Sequence, residues 1–197
     1  MRNTIVAITL LTGIAITGVL VSCNSSKADS KAASDTVSKD SLVKRGAYLV
    51  TIGGCDDCHS PKKMGPQGPE VDMDHRLSGF PANRPYPKYD SNVVKKGLVM
   101  FNEDLTSAAG PWGVSFAANL TSDDTGLGNW SEAHFFKAIR DGKFKGLDGS
   151  RSLLPPMPWQ NFRQMSDNDL RAVFTFLKST KPVKNIVPGN RQLAELK

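Results

Sequence analysis

Two cysteines three positions apart, followed at once by a histidine, make up Cys55-Asp56-Asp57-Cys58-His59. This pentapeptide restricts the chain more than any other stretch, because its spacing is the attachment signal for a c-type haem. A helical turn after Cys55 sets both sulfurs on one side of the backbone, each able to form a thioether to a haem vinyl group. His59 then aims its ring at the iron. A chain built this way must fold around a large, flat, covalently held group, with one haem c expected from one motif. The competing chemistries fit less well. A zinc site needs a second ligand pair at suitable spacing, and the only other histidines are His75 and His134. A thioredoxin-like redox pair calls for a parallel-sheet context that the sequence does not display.

The third cysteine gives the motif its setting. Met1-Arg2-Asn3 is a short positive start, and Ile5 to Val21 is apolar except for Thr and Gly. The pattern reads as a secretory leader over residues 1–22. Leu20-Val21-Ser22-Cys23 has the form of a bacterial lipobox, so cleavage before Cys23 would leave that cysteine carrying the lipid. An uncleaved transmembrane helix is the other reading of the same run. Both readings export the remainder and tether it, which places the chain on the periplasmic side of a bacterial membrane. Residues 23–40 are mostly Ser, Ala, Lys and Asp. Such a composition buries too little to repay ordering and reads as a flexible linker, with a reach of roughly 20 to 25 Å.

The 197 residues, 39% hydrophobic, leave room for one globular domain, expected over 41–183, followed by a C-terminal arm over 184–197. Leu42-Val43, Ala47, Leu49-Val50 and Ile52 repeat at near-helical spacing and stop at Gly53-Gly54, predicting a first helix that leads into the motif. Ser131 and Ser166 are expected to cap two later helices, with Trp130 stapling to Phe135 and Met165 to Leu170. From Ser60 to Ala118 the pattern dissolves into Pro, Gly and alternating charge, with no sustained helix. This segment is expected to wrap the haem on Phe80, Tyr86, Tyr89, Phe101, Trp112 and Phe116, with a short hairpin around Val93 to Phe101. The fold class expected is all-α, with a long irregular insertion after the motif.

A thioether suits Fe(II) and raises the reduction potential, whereas a second histidine lowers it. Candidates for the sixth ligand are Met64, Met73, Met100, Met157, Met165, His75 and His134. Met157 is set apart by Leu154-Pro155-Pro156-Met157-Pro158-Trp159, where prolines fix the backbone and remove amides that would need partners. His75 and His134 read as surface residues.

Asn119-Leu120-Thr121 through Gly128-Asn129-Trp130-Ser131, then Phe135, Arg140 and Gly142, then Pro156-Met157-Pro158-Trp159 and Ser166-Asp167-Asn168-Asp169-Leu170 follow the motif in order. Together they resemble the haem domains of the cytochrome c subunits of membrane-bound alcohol, aldehyde and gluconate dehydrogenases and of their monohaem relatives. The similarity runs from about Lys44 to Val183. It implies a helical cytochrome c fold whose first and last helices cross, with His59 and Met157 on the iron and Asn119 and Trp130 near the haem or its propionates. The dehydrogenase subunits carry three such motifs where this chain has one, and this chain adds a lipid-anchor signal and a longer segment after His59.

The function expected is that of a lipid-anchored monohaem carrier of single electrons, not an enzyme. Its partners would be redox proteins, a dehydrogenase or a terminal oxidase, and not nucleic acid. Lys62, Lys63, Lys137, Lys143 and Lys145 could present a positive rim to an acidic partner, or be ordinary solvated lysines. A haem peroxidase or gas-binding haem protein is the alternative, and it requires a displaceable sixth ligand.

Overall fold

Ser38 opens the described part of the chain as a helix cap, its hydroxyl accepting from the Ser41 amide. The computed structural model describes residues 38–195. The expected leader, Cys23 and nearly all of the expected linker lie outside them. In chain order the elements are α1 (Lys39–Ile52), α2 (Cys55–His59), β1 (Lys62–Gly65), β2 (Gly68–Val71), α3 (Ser91–Lys95), β3 (Met100–Phe101), β4 (Ser107–Gly110), β5 (Gly113–Phe116), α4 (Glu132–Arg140), α5 (Trp159–Phe162) and α6 (Asp167–Leu177). The first helix begins at Lys39, so ordered structure reaches into the stretch expected to be linker.

Helices α1 and α6 cross where α1 is narrowest. A Cβ on Gly46 would lie 2.0 Å from the Ala172 carbonyl oxygen, so only glycine lets the backbones approach this closely. Arg45 bonds Asp169 at 2.9 Å on the outside of the same crossing. Beneath it lies the main apolar core, with Leu49 and Val50 from α1, Phe135 and Ile139 from α4, and Leu170 and Phe174 from α6. Burial of these side chains at roughly 1.5–3 kcal/mol each is the main drive for the three helices to pack. Ser131 accepts from the His134 amide and Ser166 from the Asp169 amide, so both caps form as expected.

The expectation of an all-α chain is corrected by the segment 60–118. Strands β1 and β2 form an antiparallel hairpin, and β3, β4 and β5 form a three-stranded antiparallel sheet in that order. The expected hairpin around Val93 to Phe101 is replaced by α3 and then β3, which pairs with β4. Tyr89, Val94, Ala109 and Val114 make a second small core behind this sheet. The segment is anchored to the helices as well: Leu77 is fully buried in the main core, held at φ 62° by the Ser60 hydroxyl on its amide and by its own carbonyl, which accepts from Leu120. Of the expected aromatic anchors, Phe80 and Tyr89 are buried and Phe116 and Trp112 half-buried, while Tyr86 and Phe101 are exposed.

The tail after Val183 runs along the rest of the chain and is tied to it. Asn185 donates to the carbonyls of Ser78 and Phe80 and accepts from the Ala82 amide, and Arg191 bridges to Val114 on β5. It straps the inserted segment to the helical part of the chain.

Candidate functional site

Gly54, in the left-handed region at φ 65°, turns the chain sharply from α1 into α2. The positive φ favours glycine there, and an added Cβ would also push aside the Asp57 carboxylate 2.9 Å away. Helix α2 is the pentapeptide itself, which sets Cys55 and Cys58 about one turn apart as the spacing predicts. Neither is in a disulfide. Burial, then the nearby Asp56, pushes the Cys55 thiol up to about 11, and burial also raises Cys58. Neutral thiols at neutral pH are the reverse of the activated thiolate that a thioredoxin-like exchange needs.

His59 Nδ1 lies 2.8 Å from the Ala118 carbonyl oxygen. A carbonyl can only accept, so Nδ1 carries the hydrogen and Nε2 keeps its lone pair. Desolvation lowers the His59 pKa against the opposing effect of that hydrogen bond, which favours the neutral ring a metal requires. The ring is therefore oriented and in the tautomer suited to axial ligation.

Around α2 the polar contacts come from side chains whose place here the sequence did not announce. Arg76 grips Asp56 through both carboxylate oxygens, and Ser60 donates to Asp56 at 2.7 Å. Burial acts to raise the Asp56 pKa, but these hydrogen bonds outweigh it and the net direction is downward. Lys62 turns inward, donating to the carbonyls of Asp56, Asp57 and Asp104. It thus satisfies the open C-terminal end of α2 and is lost to any positive rim. Lys137 pairs with Asp148, which weakens that rim further.

Met157 packs, half-buried, against the main core together with Cys55, Leu120, Trp130 and Phe162. The other thioethers separate from it: Met64 is 78% and Met73 64% exposed, and Met100 belongs to the second core. Met165 shares the main core with its expected staple partner Leu170. His75 and His134 are exposed. Trp130 sits at the entry to α4, beside Phe135 in the same core. Asn119 is buried. Its Oδ1 accepts from the Thr121 amide and hydroxyl, and its Nδ2 donates to Thr125 and to the Val183 carbonyl. All four hydrogen-bonding positions of the amide are used, so Asn119 is a brace between its own loop and the strap.

Among the described residues no three His, Cys, Asp or Glu side chains converge as a site for a bare metal ion. Two thiols and one oriented imidazole on a short helix, beside apolar side chains and a methionine, instead fit a group held at its periphery and ligated axially.

Comparison with known proteins agrees with this geometry. The chain is 31% identical over 154 residues to the cytochrome c subunit of gluconate 2-dehydrogenase from Pantoea cypripedii. It is 29% identical over 146 residues to the cytochrome c subunit of a quinone alcohol dehydrogenase from Gluconobacter oxydans. The chain is homologous to cytochrome c subunits of dehydrogenases. A subunit of the nicotinate dehydrogenase of Pseudomonas putida is 39% identical over 151 residues. These matches cover 73–77% of this chain but only 10% of the nicotinate dehydrogenase subunit and 23–26% of the two cytochrome c subunits. No family model matches.

The contacts missed by sequence reasoning share one property. Ala118 acts through a backbone carbonyl, and Lys62 and Arg76 act across turns whose path is not written locally. No side-chain pattern marks them.

Proposed function

We propose that the chain is an exported, lipid-anchored cytochrome c that carries one covalent haem and passes single electrons between membrane-associated redox partners. Cys55 and Cys58 would hold the haem through thioethers, His59 and Met157 would ligate its iron, and Trp130 would wall it with apolar surface. When bound, the haem supplies one-electron chemistry between Fe(III) and Fe(II). The protein's part is to hold the His59 ring through Ala118, to keep water away with the apolar side chains around Cys55, and to keep the same ligand set in both redox states. The observation that carries this reading is the His59–Ala118 hydrogen bond, which leaves Nε2 free on the same short helix as the two thiols.

The partner proposed first is a dehydrogenase, since the relatives are named as dehydrogenase subunits; a terminal oxidase is the complementary acceptor. Lipid attachment at Cys23 rests on the lipobox and lies outside the described residues. Replacing both thiols, Cys55→Ser with Cys58→Ser, is expected to abolish haem staining on a denaturing gel. Covalent haem persisting in that variant would overturn the assignment. Co-purification of a dehydrogenase with the protein from solubilised membranes tests the partner.

A further inference from the structure

The Met157 loop has few hydrogen bonds of its own. Pro155, Pro156 and Pro158 have no amide hydrogen to give, so the turn relies on Met157 donating to the Leu154 carbonyl at 3.3 Å and Trp159 donating to the Met157 carbonyl at 2.9 Å. Its outside tie comes from β5, where the Ser115 hydroxyl donates to the Pro155 carbonyl at 2.7 Å. The competing acceptor, the Ala108 carbonyl, is 3.4 Å away, so the single hydroxyl hydrogen goes to Pro155. Trp112 Nε1 donates to the Ser115 oxygen at 3.2 Å, occupying a lone pair and orienting the hydroxyl.

Strand β5 is itself held from both sides. Ser115 is in register with Ala108 on β4, and Val114 exchanges hydrogen bonds of 2.9 and 3.0 Å with Arg191 of the strap. Three residues beyond Ser115, Ala118 presents the carbonyl that holds His59. The short stretch from Ser115 to Ala118, running out of the end of β5, therefore ties the Met157 loop through Ser115 and the His59 ring through Ala118.

We propose that Ser115, oriented by Trp112, is a positioning residue that holds Met157 in place as the sixth ligand, so that the stretch from Ser115 to Ala118 ties the Met157 loop and the His59 ring to one another. This rests on the reading of Met157 as that ligand. Losing the Ser115 hydrogen bond frees the loop, and an external ligand then competes better for the sixth position. One such bond is worth about 0.5–1.5 kcal/mol, which predicts a rise of roughly two- to tenfold in apparent imidazole affinity of the oxidised protein.

The experiment uses the full-length haem-loaded protein. In the wild type, the sulfur-to-iron charge-transfer band of the oxidised state reports methionine ligation; its absence would overturn the Met157 assignment and this proposal with it. With the band present, imidazole titration is compared for the wild type, Ser115→Ala, Ser115→Thr and Trp112→Phe. The alanine variant should lose the band at roughly two- to tenfold lower imidazole, threonine should restore wild-type behaviour, and Trp112→Phe should fall between. Unchanged affinity in Ser115→Ala overturns the positioning role while leaving Met157 as ligand. Equal loosening in the alanine and threonine variants overturns it too, since that would mark a packing effect. Should Ser115→Ala fail to fold, Trp112→Phe decides: wild-type affinity there overturns the proposal.

Discussion

Arg76 closes on Asp56 with two parallel hydrogen bonds, Nε to Oδ1 at 2.9 Å and Nη2 to Oδ2 at 2.7 Å. The pair ties the helix of the haem motif to the chain that follows the β1–β2 hairpin, and both side chains are more than two-thirds buried. Asp56 has its pKa depressed below the ordinary 3.8, so its contribution to stability is present above that value and is lost as pH falls through the lower, folded one. Arg76→Met should cost about 2 kcal/mol at neutral pH, because it strands a largely buried carboxylate. The gap from wild type should narrow below about pH 4, where Asp56 in the variant takes up a proton. Urea unfolding at pH 7 and pH 3 checks this, and an equal gap at both would remove the ion pair from the account.

Gly46 makes an opposite prediction to helix propensity. In an exposed helix, Gly→Ala stabilises by up to about 1 kcal/mol. Here the new methyl would meet the Ala172 backbone at 2.0 Å and the Phe176 Cβ at 2.6 Å. Gly46→Ala should therefore destabilise by about 1–3 kcal/mol or more, read as a lower denaturant midpoint. A neutral or stabilising result would mean that α1 and α6 do not cross at this residue.

The helices were readable because they are punctuated locally. Ser131 and Ser166 each sit one residue before an amphipathic run, and the residues that staple them are neighbours in sequence. Segment 60–118 lacks such marks for physical reasons. Strand β4 is Ser-Ala-Ala-Gly and is buried at every position, so it shows no alternation of apolar and polar residues. Strand β3 is only two residues long. The strap is harder still: Asn185 is defined by partners 103 to 107 positions away. The site divides in the same way. Cys55, Cys58 and His59 are legible because attachment chemistry demands fixed spacing. The groups that orient them act through backbone carbonyls, or through side chains brought in by a sheet the sequence does not announce. Asn119 stands out in the resemblance, while its bracing bonds to Thr125 and Val183 are legible only in the fold.

Lys62 sets a fixed positive charge three residues from His59, against the carbonyls of Asp56 and Asp104 at 3.1 and 2.9 Å. A cation beside the haem favours the state with one more electron, so it raises the midpoint potential. Lys62→Met should lower that potential by roughly 40 mV, the one-electron equivalent of about 1 kcal/mol at an intermediate dielectric. Lys62→Arg should retain most of the wild-type value. A redox titration followed by absorbance measures both. An unchanged potential in a correctly loaded, low-spin Lys62→Met protein would show that this charge is screened from the iron.

Met157 separates an electron carrier from a haem protein that binds gas or peroxide. Position argues for it: Met64 and Met73 face solvent and Met100 lies in the second core, whereas Met157 shares the main core with Cys55. Met165, in that core as well, packs with Leu170 at the start of α6. A soft thioether favours Fe(II), and an imidazole in its place favours Fe(III). Met157→His should therefore lower the midpoint potential and keep a low-spin spectrum, with Met165→Leu near wild type in both. Carbon monoxide adds a second reading on the reduced protein. The wild type should bind it slowly or not at all, and Met157→Ala should bind it readily, because that substitution opens the sixth position. Rapid carbon monoxide binding by the wild type would make the sixth ligand displaceable and favour gas or peroxide chemistry. A potential that moves with Met165 rather than Met157 would instead keep electron transfer and reassign the sulfur to the turn preceding α6.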